Sequence, residues 1–91
     1  MTPEMSIIMP VRNGERFIAD AIRSLCREDV EFELIVVDDG STDGTRAIVE
    51  DVIRRDRRVR IFDGPARGVA AARNVGVREI RAPIVAFLDA D

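Results

Sequence analysis

Histidine is absent from this chain and cysteine occurs once, at Cys26. No zinc site and no thiol–imidazole pair can be assembled from such a set, and no internal disulfide can form. A lone thiol makes a reducing compartment the default. Aromatic residues are scarce, four Phe in 91 residues, which predicts an aliphatic interior. Lysine is missing too: all 14 basic residues are Arg, and 17 acids bring the formal net charge to −3. That balance carries no nucleic-acid footprint. Long apolar runs are also lacking near the start, where Glu4, Arg12, Glu15 and Arg16 interrupt any stretch that a signal peptide or membrane span would need. A cytoplasmic location is expected.

What is present is the pattern of a folded domain. Hydrophobic residues make up 46% and charged residues 34% of the chain. A chain of this length forms one small domain that buries roughly 60% of its unfolded surface. Met5 to Met9 is a short apolar run stopped by Pro10, and Phe32 to Val37 a β-branched run stopped by Asp38-Asp39-Gly40. Val59 to Phe62 alternates with Arg60 and reads as a less buried strand, while the run Pro83 to Leu88 reads as a buried one. Between these lie three helical stripes: Phe17, Ile18, Ala21, Ile22, Leu25 and Cys26; then Ala47, Ile48, Val49, Val52 and Ile53; then Val69, Ala72, Val75, Gly76 and Ile80. Cys26 is a core residue on this reading. The cluster Arg54-Arg55-Asp56-Arg57-Arg58 reads as a helix end, where cations complement the dipole. The order β-α-β-α-β-α-β predicts an α/β fold, a parallel sheet with helices on both faces.

Ligands on open α/β sheets bind outside the carboxyl ends of the strands. Those ends carry Pro10-Val11-Arg12-Asn13, Asp38-Asp39-Gly40-Ser41, Asp63-Gly64 and Asp89-Ala90-Asp91. Three of the four are acidic, and carboxylates gathered on one edge imply a cation or a ligand with donors. Asp89 and Asp91 stand two apart after a strand, so an extended backbone presents their oxygens to the same side, which suits Mg²⁺ or Mn²⁺. The stretch from Asp39 to Glu50 also fits the spacing of a calcium-binding loop, but a strand precedes it where such loops have a helix, and Arg46 takes an apolar position. Asp43 or Thr42 capping the second helix, with glycine at 40 and 44 in the turn, explains the same residues. A phosphatase-type Asp-x-Asp loop would need Asp at 40 or 41, where Gly and Ser stand. Finally, Gly64-Pro65-Ala66-Arg67-Gly68 leads into a helix whose first turns are small, with Arg73 one turn inside, an arrangement that admits a phosphate at the helix N-terminus.

Ser6–Asn13, Leu34–Asp43, Gly68–Gly76 and Phe87–Asp91 together resemble, in order and spacing, the family 2 glycosyltransferases. The resemblance covers nearly the whole chain. It implies a GT-A fold of which residues 1–91 form the N-terminal, nucleotide-sugar-binding half. It also implies metal-dependent transfer of a sugar, with inversion, from a nucleoside diphosphate sugar such as a UDP-sugar to a saccharide or lipid-linked acceptor, in polysaccharide or cell-envelope synthesis. On this resemblance Pro10, Val11, Arg12 and Glu15 border the nucleoside, and Asp39 accepts a hydrogen bond from the base. Asp89 and Ala90 lie by the ribose, Asp91 and Asp89 hold Mn²⁺ or Mg²⁺, and Gly68 and Arg73 lie against the base or diphosphate. Arg12 departs from the family pattern, in which an aromatic commonly stands there; a guanidinium can stack on a base as well. The general base and the acceptor site would lie beyond residue 91, so the chain alone is expected to have no transferase activity, to expose a sheet edge open to self-association, and to work in the cytoplasm, at the membrane's inner face in a longer protein. Two other readings stay open on the residues alone: a non-catalytic nucleotide-sugar-binding module, and another α/β nucleotidyltransferase, for which the loop Val11-Arg12-Asn13-Gly14 is a thin match.

Overall fold

A computed structural model of the chain describes residues 3–27 and 29–89. Strands and helices alternate through them: β1 (Met5–Val11), α1 (Ile18–Cys26), β2 (Phe32–Asp38), α2 (Thr45–Arg55), β3 (Val59–Asp63), α3 (Val69–Val77) and β4 (Ile84–Phe87). The four strands form one parallel sheet in the order β3-β2-β1-β4. Period-two alternation sends Ile7, Met9 and Val11 of β1 and Leu34 and Val36 of β2 to one face, where they meet Ile18 and Ile22 of α1 and Val49 of α2. Ile8, Ile35 and Val37 go to the other face and meet Ala72 of α3. With helices on both sides, β2 is buried over its whole length, which is why Leu34 to Val37 are all apolar and Glu33 needs buried partners. The expected α/β fold with helices on both faces is the observed one.

Four elements differ from their sequence reading. Pro10 does not stop β1, which continues to Val11 in register with β2. The backbone explains it: Val11 O accepts from Asp39 N on the β2 side, whereas Ile8 O accepts from Leu88 N on the β4 side. Pro10 shares the orientation of Ile8, and pairing with β4 ends at Ile8↔Phe87, so its missing N–H falls where no partner strand stands. The run at 83–88 is not buried: β4 pairs only with β1 and lies at the sheet edge, with Ile84 54% and Phe87 49% exposed. An apolar run records a capacity for burial, and among the described residues nothing covers the outer side of this strand. Phe17 lies outside the buried stripe, at the N-cap of α1, and Val69 and Ile80 fall at or beyond the margins of theirs.

Gly76 is required by close approach. A Cβ there would lie 2.5 Å from Cγ2 of Ile8, a fully buried side chain that branches at its own β-carbon and has nowhere to swing. Gly76→Ala is therefore expected to lower stability by about 1–2 kcal/mol, the overpacking cost less what alanine returns in helix propensity, read as a fall in Tm. Were Tm to rise, α3 would not be seated on β1 as closely as described.

At the amino ends of the strands a buried polar network joins the elements. Ser6 Oγ donates to Glu33 Oε2 at 2.5 Å, Arg60 Nη2 donates to Glu33 Oε1 at 2.7 Å, and Arg81 N donates to Glu33 Oε2 at 2.7 Å. Beside it, Arg54 and Arg55 close the last turn of α2, as expected, and Asp56 binds the guanidinium of Arg58, which lies 4.6 Å over the Phe32 ring. Cys26 donates its S–H to Asp56, and burial together with that carboxylate pushes the thiol up from its ordinary pKa; it is packed against the core, not activated.

Candidate nucleotide site

Three loops and one strand end meet at the carboxyl edge. The loop after β1 and the loop after β2 are clipped together: Asn13 N donates to Ser41 Oγ (2.9 Å), Gly14 N to Thr45 Oγ1 (2.8 Å), Thr42 N to Asn13 Oδ1 (2.8 Å) and Gly44 N to Glu15 Oε2 (2.9 Å). Asp43 serves both sides, taking Thr45 N and Glu15 N, and its hydrogen bond with the Thr45 hydroxyl holds its carboxyl below the usual range. The N-cap itself is Gly44, which has no side-chain cap bond, so Asp43 binds the first N–H of the helix from one residue before the cap and not as the cap expected. Thr42 binds Asn13 instead.

The third loop hangs on Asp39. That side chain is 4% exposed; Oδ1 accepts from Ala66 N at 2.7 Å and Oδ2 from Gly68 N at 3.1 Å. Both donors come from residues in left-handed conformations, Ala66 at φ 59° and Gly68 at φ 101°, so the carboxylate holds a loop path that the backbone would not choose alone. At the end of β4, Arg73 Nη2 reaches Asp89 Oδ1 at 3.4 Å and its guanidinium lies 5.6 Å from the Phe87 ring centre. The Nε of Arg73 is buried without a partner.

These loops enclose an open cleft of about 220 Å³ lined by Pro10, Val11, Arg12, Phe17, Asp39, Gly68, Val69 and Asp89. Six of the residues singled out from sequence, Pro10, Val11, Arg12, Asp39, Gly68 and Asp89, therefore share one cavity although they come from four segments. Glu15 and Arg73 are not in its lining: Glu15 faces the start of α2 through Gly44, and Arg73 stands behind Asp89. Ala90 and Asp91 lie outside the described residues. Phe17 and Val69 are the lining residues that sequence reasoning missed; the only trace of Phe17 is its place at the very start of a helical stripe, where the chain is still turning into the helix.

Among the described residues no group of three or more His, Cys, Asp or Glu comes together as a metal site. Asp89 nevertheless fits a hard cation: its side chain is 63% exposed and its single tie to Arg73 leaves oxygen lone pairs open. Its neighbour in that role, Asp91, is the residue whose oxygens would have to complete the pair.

Residues 6–91 match the sequence pattern of Glycosyl transferase family 2. An uncharacterized glycosyltransferase of Haemophilus influenzae is 42% identical over 91 residues, which are 98% of this chain and 36% of that protein. The chain thus spans about a third of the length of this relative. Among solved structures, residues 1–349 of S. aureus TarS in complex with UDP superpose with a TM-score of 0.81 at 34% identity, over 97% of this chain and 27% of theirs. The mannosyltransferase PcManGT of Pyrobaculum calidifontis, solved with GDP-Man and Mn²⁺, gives a TM-score of 0.90 at 28% identity, over 100% of this chain and 28% of that one. The sheet and helices are those of a GT-A fold, and the chain belongs to glycosyltransferase family 2.

Proposed function

We propose that the cleft at the carboxyl edge is the donor site of an inverting, divalent-metal-dependent glycosyltransferase that takes a UDP-sugar and serves polysaccharide or cell-envelope synthesis on the cytoplasmic side. The observation that carries this reading is the meeting of Arg12, Asp39, Gly68 and Asp89, from four separate segments, around one cavity. Asp39 has lone pairs left after its two backbone bonds and accepts an N–H of the base. Arg12 lies over or beside that base, Asp89 takes the ribose, and Asp89 and Asp91 are the residues that would hold Mn²⁺ or Mg²⁺. The metal when bound neutralises charge on the departing nucleoside diphosphate, and Arg73, one turn inside α3, adds a fixed positive charge to the same side. The acceptor hydroxyl attacks the anomeric carbon from the face opposite the diphosphate, the carbon–oxygen bond to phosphate breaks, and the proton passes to a base that lies outside residues 1–91. Residues 1–91 bind donor and metal and do not turn over by themselves, and the open edge of β4 supports self-association. Among the described residues no helix is long and apolar enough to cross a membrane.

Thermal unfolding with UDP, GDP and dTDP, each with and without Mn²⁺, tests this directly. A nucleotide at about 100 times its Kd adds roughly 2.7 kcal/mol to the folded state. For a domain of this size that is a rise in Tm of about 10 °C or more. The expected outcome is a rise that requires metal and is largest with UDP; equal curves in every condition would overturn the donor-site reading.

A further inference from the structure

The polar residues of the cleft have roles in the donor-site reading, but its two exposed apolar side chains do not. Phe17 is 41% and Val69 50% exposed, and both line the cavity. They arrive from opposite faces of the sheet. Phe17 leads into α1, which covers the face of Ile7, Met9 and Val11, and Val69 begins α3, which covers the face of Ile8 and Val37. The cleft at the end of β1 is therefore lined by an aromatic side chain from the α1 side, a β-branched side chain from the α3 side and the buried carboxylate of Asp39. Phe17 is the only aromatic in the lining, and it is held there by the clipped loop: Phe17 N and Ile18 N both donate to Gly14 O, at 3.1 and 2.8 Å. Two apolar flanks with a buried acceptor between them suit a flat, π-faced group carrying N–H donors on its edge, and not a sugar or a diphosphate, which would leave both flanks in contact with polar atoms.

We propose that Phe17 and Val69 are the two sides of the nucleobase slot, with Phe17 as the stacking platform. This rests on the donor-site reading and adds to it which residues grip the base. Stacking of a base on an aromatic side chain is sequence-tolerant, so Phe17 sets affinity for nucleosides in general while Asp39 reads the edge.

The chain contains neither Trp nor Tyr, so Phe17→Trp would carry the sole indole. Its fluorescence should change saturably on titration with UDP or GDP plus Mn²⁺ and should not respond to inorganic pyrophosphate plus Mn²⁺. Val30→Trp, an exposed position before β2 at the opposite end of the strands, should respond to neither. In parallel, Phe17→Ala should weaken binding of UDP and GDP at least about fivefold and leave pyrophosphate affinity unchanged. Wild-type affinity for UDP in Phe17→Ala overturns the proposal, as does an equal loss of UDP and pyrophosphate, which would mark Phe17 as a loop support. An unresponsive indole in a variant that still binds UDP overturns it too. A wild-type chain that binds no nucleotide overturns the donor-site reading and this one together, whereas binding with an indifferent Phe17 overturns this one alone.

Discussion

Glu33→Ala should cost the fold more than any other single side-chain truncation outside the apolar core. Glu33 is 6% exposed and its carboxylate accepts from three elements at once, β1 through Ser6, β3 through Arg60 and the segment before β4 through Arg81 N. Removing one partner of a buried ion pair costs about 3–5 kcal/mol, because the remaining charge and donors are left without water or acceptor. Against a total stability of roughly 5–14 kcal/mol for a chain of this length, that lowers Tm by at least about 12 °C. Arg60→Ala should cost less, since Glu33 would keep Ser6 and Arg81 N, and Arg60 is already a fifth exposed. The acid limb gives a second readout. Burial opposes ionisation of Glu33, but the hydrogen bonds from Ser6, Arg60 and Arg81 outweigh it and hold its carboxyl below its ordinary value of 4.5. A depressed folded pKa means stability that is present above the unfolded value and lost as pH falls through the folded one. The gap in stability between wild type and Glu33→Gln should therefore be widest above about pH 4.5 and close as the solution is acidified. A gap that stays constant down to pH 2 would show that the ionised form of Glu33 is not what holds β1, β3 and the segment before β4 together.

The element order, the parallel sheet and the two-sided helix packing were legible because β1 and β2 are buried on both faces, and two-sided burial writes itself into sequence as short, mostly apolar runs without the strict alternation of a half-exposed strand. The site was legible for a related reason. Alternation fixes which strand ends share an edge, so Pro10, Arg12, Asp39 and Asp89 could be assigned to one edge without knowing a distance, whereas Gly68 came in only through the family resemblance. What could not be read was anything that depends on a neighbour. The exposure of β4 follows from what stands beside it, and its composition contains no record of that. The continuation of β1 through Pro10 depends on where β4 stops pairing, some 75 residues later in the chain. Glu15 offered a carboxylate at the right place for a ligand, but the Gly44 N–H at the start of α2 sits within 2.9 Å and takes it. Phe17 and Val69 had hydrophobic side chains at helical spacing, and spacing does not tell a residue that begins a helix over a cavity from one that packs beneath it.

Asp39→Asn separates the loop anchoring by that side chain from the base recognition proposed for it. An asparagine keeps the shape but offers one accepting oxygen and one donating NH₂, so of the N–H groups of Ala66 and Gly68 only one can be satisfied, and the other faces a donor. Part of the cost falls on the loop, whose left-handed residues at 66 and 68 then lose half of their anchor, and stability should drop by about 1–3 kcal/mol. The remaining cost falls on the ligand. A carboxylate at the floor of the slot can only accept, so it favours bases that present a ring N–H, such as uracil and guanine, and disfavours cytosine, whose ring nitrogen at that position is itself an acceptor. Wild type should prefer UDP to CDP by about tenfold or more, the range of a well-placed polar discrimination. In Asp39→Asn the NH₂ can meet the cytosine nitrogen, so UDP affinity should fall and the UDP/CDP ratio should narrow or invert, whereas Asp39→Ala should lose UDP by about 100-fold with no gain for CDP. Isothermal titration with both nucleotides in the presence of Mn²⁺ measures this. A parallel loss of UDP and CDP in Asp39→Asn, tracking its loss of stability, would confine Asp39 to holding the loop and pass base recognition to Arg12 and the flanks of the cleft.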